Sequence, residues 1–500
     1  MCNVIIKQLS YHRSGRVLGF PAQFGLFLWS SGCSRQTIDA LHRCGLSVGY
    51  SSVLLSIKML ADHCMKMAID VGSGIHVFCY DNVQLSTSIF VEQRGTSGPA
   101  KVTSGTFGIL YRVRNGNPEH MLLAPILERF KSSKGLNFNH DICPSIQQLE
   151  SVYFQLKIAI FRVLPKYCPQ FELYAKDPAL QNIPRRPMPP GYVTEQFPIR
   201  ATTIEEATVR GNILFHEDVY LNQLKRTPED LCVYAIPSFN DQLTNSRIRS
   251  AQLLRMRDVN AWTRREVFQL GFGLFHLCLN LVWALLHVHR GSLNQTGSLT
   301  YFFALMEKTR LGGEHPDYHT LLSALTQIMD GILLNAWICE SGHRDLGQFA
   351  ATEPLPSDLL SVAGNIMKKY AMPMATPDSL GVNIPDDLDY ESSDPGSESE
   401  DDEFTGGLGT RTALEVSSTP LQDPDLDRVH QNIRLFTRDL LYVTELVRAI
   451  SDGDIGRIED MLPMLAMMFR GAGGNNYCTE ILHFILNLKH VWTPQFAYVY

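Results

Sequence analysis

The sequence predicts a helix-rich α/β protein whose mixed-sheet core is interrupted by a large helical insertion. Three observations predict it. Two apolar, strand-like runs, Ile75–Tyr80 and Leu231–Ile236, lead into polar residues that carry an aspartate, in Cys79-Tyr80-Asp81-Asn82 and Phe239-Asn240-Asp241-Gln242-Leu243-Thr244. Segments with apolar residues three and four apart fill most of the remaining length. A long helical stretch then separates the second strand from a terminal helix.

Taken in order, residues 1–70 read as helical, with Gln36–Arg43 and Tyr50–Met67 periodic and Ser51 and Ser52 as caps. The apolar stretch Val17–Trp29 follows Arg13 and Arg16 and mimics a signal peptide. Pro21, Gln23 and its distance from residue 1 favour a buried helix. Residues 71–260 form the expected α/β core. Gly72 and Gly74 open a β-rich stretch with the Asp81 strand, Ser88–Val91 and Phe107–Val113. Ile146–Val163 is helical, and the Pro-rich 183–191 is an extended connector. Helices over Thr203–Asn222 and Ser246–Arg257 flank the second aspartate strand.

Residues 261–374 are the expected helical insertion, with long helices over Arg264–His289 and Tyr318–Cys339. Its longest apolar run, Leu270–Leu286, is shorter than the roughly 20 residues that cross a bilayer, so a core helix is expected. Residues 375–427 are Pro-, Ser- and acid-rich and read as a disordered acidic linker. There Ser392, Ser393, Ser397 and Ser399 sit among acids, which suits either a solvated linker or an acid-directed kinase. Residues 428–500 return to helices and complete the core.

Composition narrows the function classes. Hydrophobic residues at 45% and charged residues at 19% describe a globular protein, and no 20- to 50-residue repeat marks a solenoid or propeller. The 11 cysteines lack the close spacings of a disulfide framework, so reduced thiols inside a cell, nuclear or cytoplasmic, are expected, with no secretion and no membrane. The net charge of −7 is local, because ten acids lie between Asp386 and Glu403 without one Lys or Arg. The remainder is nearly neutral, unlike a strongly basic nucleic-acid binder. Neither a phosphate loop ending in GK[ST] nor a Gly-x-Ser-x-Gly elbow occurs.

Aspartates on neighbouring strands are how many phosphoryl-transfer enzymes hold two divalent ions about 4 Å apart. Each of Asp81 and Asp241 alone is better explained as a turn former or helix cap, and Asp241 can cap the helix that follows it. A two-metal site needs a third acid. Glu480 is the first candidate, Asp454 in its Asp-Gly turn the second and Asp70 the third. His276 reads as a core histidine, with a place near the site as the alternative, and His287 and His289 as C-terminal helix residues. The pairs His315/His319 and Cys339/His343 have zinc-like spacing, but one helix holds them about 30 Å apart. Arg247, Arg249, Arg255, Arg257, Arg264 and Arg265 scatter around a helix, so surface ion pairs are the default and DNA phosphate contact the alternative.

The set Tyr80-Asp81-Asn82, Asn240-Asp241-Gln242-Leu243-Thr244 with Arg247, Phe275-His276-Leu277, Gly297-Ser298-Leu299 and Gly473-Gly474-Asn475-Asn476-Tyr477 with Glu480 resembles an uncharacterised domain family. That family, a domain of unknown function expanded in basidiomycete fungi, looks like transposon-derived protein, and the resemblance runs from residue 35 to the C-terminus. It implies a transposase-like, RNase H-like core with Asp81, Asp241 and Glu480 as catalytic carboxylates and metal ligands. Mg²⁺ or Mn²⁺ is the implied cofactor, DNA the implied partner, and strand transfer or nicking the implied reaction. Asn240 stands where Gly is expected, Asn294 stands where an acid often precedes Gly-Ser-Leu, and the chain starts without a DNA-binding module. These departures predict a degenerate copy or a fragment. The alternative is a non-catalytic interaction or scaffold protein that binds partners through its helical region and acidic linker.

Overall fold

The computed structural model describes residues 2–86, 102–114, 116–372 and 427–499. The expected strand Ser88–Val91, and the acidic linker through residue 426 with its four serines, lie outside the described residues. The chain is helix-rich around one small mixed sheet and divides into two compact units. The first unit is assembled from Met1–Leu149, Pro184–Leu281 and Ala449–Tyr500, and the second from Glu150–Ile183 and Val282–Arg448. Residues 261–281 therefore belong with the sheet and not with the helical insertion, while 150–183 join the helical unit.

The first unit holds the five strands β1 (His76–Ser86), β2 (Val102–Arg112), β3 (Gln196–Pro198), β4 (Ile236–Asn240) and β5 (Phe268–Phe272), in the order β3-β2-β1-β4-β5. β1, β2 and β3 pair antiparallel, and β4 and β5 continue from β1 in parallel. One face of β1 presents Phe78 and Tyr80 to Phe215, His216 and Tyr220, and Phe268 of β5 joins the same aromatic cluster. Strand side chains alternate between faces, so Gln269 points the other way. There it accepts a 2.8 Å hydrogen bond from the Trp492 indole, which brings the C-terminal stretch over the opposite face.

Several element boundaries differ from expectation. The run Leu231–Ile236 is not the second strand. A short helix, Pro228–Leu231, precedes β4, which contains Pro237. The expected helix Arg264–His289 is two elements, because Phe268–Phe272 is strand β5 with every residue buried and the helix Leu274–His289 starts beyond Gly273. A strand covered on both faces shows an unbroken apolar run, which a buried helix also shows. The helix expected from Thr203 begins only at Val209, capped by Thr208, and runs through Glu217 into a π turn at Asp218–Gln223. The helix Gln242–Leu254 begins four residues before its expected start, because Asp241 caps it.

At the N-terminus, Gly19–Ser30, Arg35–Arg43 and Tyr50–Gly72 are helices packed around Leu28, Ile38, Val48 and Val53. Ser34 caps the second of these, whereas Gly49 stands at the start of the third, so Ser51 and Ser52 occupy its first turn and not its cap.

The second unit is helical. The helix Tyr318–Ser341 is, by length and composition, long and apolar enough to cross a membrane. It carries a buried aspartate, Asp330, 2.6 Å from Lys166 Nζ and 2.8 Å from the Tyr167 hydroxyl, and its buried Trp337 donates to the Ile160 carbonyl. Its 24 residues span about 36 Å. The His315 and Cys339 pairs flank that length, and His343 Nδ1 instead meets the Ser341 carbonyl at 2.7 Å.

Candidate functional site

β1 and β4 set the site. Cys79 lies opposite Phe239 in their parallel ladder; Asp81 is two residues further along β1, and Asp241 is two residues further on, just past the end of β4. The charges of both aspartates reach His276, Glu206 and Tyr477, so the two lie in one neighbourhood. Asp81 is not at a strand end. β1 continues to Ser86, and Asp81 pairs with Phe107 of β2. Asp241 does follow its strand, and its side chain accepts the Thr244 amide at 2.7 Å as the cap of helix Gln242–Leu254.

Asp81 is half exposed. Its Oδ1 accepts the Asn82 amide at 2.8 Å, and its Oδ2 lies 3.5 Å from His276 Nε2. Burial pushes the Asp81 carboxyl up, but His276 and the Asn82 amide outweigh it and the net shift is downward. The same contact raises His276 against its own burial, with further help from the charge of Asp241. His276 thus belongs to the site and not to the sheet core. Cys79 has its thiol pushed up to about 11 by burial and the charges of Asp81 and Glu206, so it stays protonated.

Glu206 is a group that the sequence reading missed. It lies in the loop between β3 and helix Val209–Glu217 and is 1% exposed. Burial first, then the charges of Asp241 and Asp81, pushes its carboxyl up to about 8. Thr244 and the Asn82 amide lie close enough to favour its charged form. Neither carboxylate oxygen, however, closes a hydrogen bond of ordinary geometry.

Two glycines admit this loop. A Cβ on Gly105 of β2 would stand 2.1 Å from the Thr202 carbonyl, and one on Gly211 would stand 1.8 Å from the Glu205 carbonyl. Thr106 and Thr202 exchange backbone hydrogen bonds at 2.9 Å, the Thr106 hydroxyl donates to the Ile204 carbonyl at 2.6 Å, and Asn212 Nδ2 donates to the Glu206 carbonyl. No local sequence pattern marks Glu206, because its position comes from this tertiary stitching.

Glu480 sits on helix Asn475–Leu486, one turn beyond Tyr477. The Tyr477 hydroxyl is pushed up by burial and by the charges of Asp241, Glu480 and Asp81. Glu480 is nonetheless engaged. Arg249 grips it with two donors, at 3.1 Å on Oε1 and 2.5 Å on Oε2, and Asn245 Nδ2 donates to Oε1 at 2.7 Å. Asn245 also accepts from Asn240, which in turn reaches Ser238, so the Asn found where Gly was expected is part of a buried polar chain.

The other expected ligands are occupied elsewhere. Asp454 caps helix Ile455–Gly471 and accepts the amides of Arg185, Arg186 and Arg457, which pins the Pro-rich connector. Asp70 faces Arg112 at 3.4 Å. Among the described residues, no three His, Cys, Asp or Glu side chains already stand in metal-ligating position. Of the basic cluster, Arg249, Arg255, Arg264 and Arg265 are paired with Glu480, Asp258, Glu266 and Glu217.

The molecule is thus a helix-rich α/β protein whose small mixed sheet carries Asp81, with Asp241 at the end of the neighbouring strand and a histidine, a tyrosine and two buried glutamates nearby. The chain belongs to a family of unknown function, DUF6589, whose profile matches residues 131–500 and so includes Asp241, His276 and Glu480. No curated protein and no solved structure matches it.

Proposed function

We propose that the first unit is a transposase-like, RNase H-like core of transposon origin, from the fungal group that the sequence resembles, and that its chemistry is metal-dependent nicking or strand transfer on DNA. The observation that supports this reading is the parallel β1–β4 ladder, which makes the strand carrying Asp81 a neighbour of the strand that Asp241 follows. The donor set suits Mg²⁺ or Mn²⁺, since both aspartates offer hard carboxylate oxygens and the unsatisfied oxygens of Glu206 lie near them. Asp81 and Asp241 would hold the ion, with Glu480 the third ligand that the resemblance implies. When bound, such an ion lowers the pKa of a coordinated water and stabilises charge on a phosphate oxygen. His276 orients the Asp81 carboxylate and favours a proton at Nε2 beside it. Tyr477 keeps its hydroxyl proton and can donate it to a bound phosphate.

The grip of Arg249 and Asn245 on Glu480 favours a second reading, in which the site is degenerate and the protein acts as an interaction or scaffold protein. Nicking of supercoiled plasmid in Mg²⁺ or Mn²⁺ separates the two. The first reading expects nicking by the full chain and its loss, by about 10³-fold or more, in Asp81→Ala. No nicking by the parent chain leaves the interaction reading.

A further inference from the structure

We propose that Glu206, and not Glu480, is the third carboxylate of a divalent-cation site with Asp81 and Asp241. The inference rests on the metal-dependent reading of that site. Three observations carry it. The Glu206 side chain is 1% exposed and both its oxygens lack a hydrogen-bond partner of ordinary geometry, an arrangement that is costly unless something cationic arrives. Its loop is tied to β2 at Thr106, which lies opposite Asn82 beside Asp81, and the charges of Asp81 and Asp241 both reach its carboxylate. Its backbone is held in that place by Gly105, Gly211, Thr106 and Asn212, so the position is built and not incidental.

Glu480 has the opposite environment. Its two oxygens already accept three donors from Arg249 and Asn245, and moving it to a cation would leave the half-buried Arg249 guanidinium without its carboxylate. The Asp81 side chain, more exposed than Glu206 or Glu480, has room to turn toward an ion at the cost of its contacts with Asn82 and His276. Three carboxylates with no sulfur or imidazole required select a hard cation of the Mg²⁺ or Mn²⁺ class.

Mn²⁺ titration of the full chain, followed by the electron paramagnetic resonance signal of free Mn²⁺, tests the proposal alongside melting temperatures with and without the ion. Asp81→Asn and Glu206→Gln are each expected to weaken Mn²⁺ binding by roughly tenfold or more and to lose the Mn²⁺-induced rise in Tm. Loss of binding in Glu480→Gln with binding kept in Glu206→Gln would give the third place to Glu480 and overturn the assignment. If Asp81→Asn loses binding while Glu206→Gln keeps it, the cation site stands and the Glu206 assignment is overturned. If the parent chain binds no Mn²⁺, the site reading and the assignment fall together. Glu206→Asp retains the charge with a shorter reach. It covers the case of a misfolded Gln variant, and affinity equal to the parent's would also overturn the assignment.

Discussion

Glu206 gives the fold a pH dependence of unusual sign. Its folded-state pKa of about 8 stands above the ordinary value of 4.5. Between those values the folded chain keeps a proton that the unfolded chain has released, so stability falls as the pH rises through that window. Below it both states are protonated and the residue has no effect. Glu206→Gln removes the ionising group at nearly constant shape. Its gain over the parent, measured by urea denaturation, is expected to be near zero at pH 4.5 and to reach roughly 2–4 kcal/mol by pH 8.5. A gain that does not change with pH would mean that the carboxylate is not the cause. Asp81 and Asp241 were legible in the sequence because each follows an apolar run. Glu206 was not, since Thr202-Thr-Ile-Glu-Glu-Ala-Thr208 carries no periodicity and acquires meaning only where Gly105 and Gly211 let it approach.

At the level of elements, the loop from Thr202 to Thr208 is the part of the site with least room. Gly211→Ala places a methyl against the Glu205 carbonyl, which is backbone and cannot rotate away. The expected cost is about 1–3 kcal/mol in a thermal or urea melt, with Mn²⁺ binding weakened as Glu206 is displaced. An unaltered melt would show that the loop yields freely. The same level shows where the sequence misled. The unbroken apolar run put the expected strand at 231–236, whereas β4 is 236–240 and contains Pro237, a residue that lacks the N–H a central ladder uses. The run from Leu270 hid β5 for a different reason. Burial on both faces erases alternation, and Gly273 is the only sign of the break before helix Leu274–His289. The helix starts at Val209 and Gln242 could have been placed from Thr208 and Asp241, whose side chains each accept the amide three residues on.

Across the whole molecule, the sheet is closed by segments far apart in sequence. β1 and β2 come from the first part of the chain, β4 and β5 from the middle, and helix Asn475–Leu486 from the end. A helix-rich and mixed-sheet composition was therefore readable, while the strand order was not, because register between distant segments leaves no local trace. Loop closure on this scale must precede the contacts that reward it. A fragment ending at Leu149 contains β1 and β2 but neither β4 nor β5. It is expected to show no cooperative melt by circular dichroism, whereas the full chain shows one. A sharp transition in the fragment would mean that the antiparallel strands are stable without their parallel neighbours.

Asp241 serves two ends at once, since it follows the strand beside the Asp81 strand and also begins helix Gln242–Leu254 by accepting the Thr244 amide. Asp81 has no comparable duty to the backbone beyond its own neighbour Asn82. Loss of the carboxylate at 241 therefore costs the helix its cap whether or not an ion is ever bound, while the same loss at 81 leaves every helix start untouched.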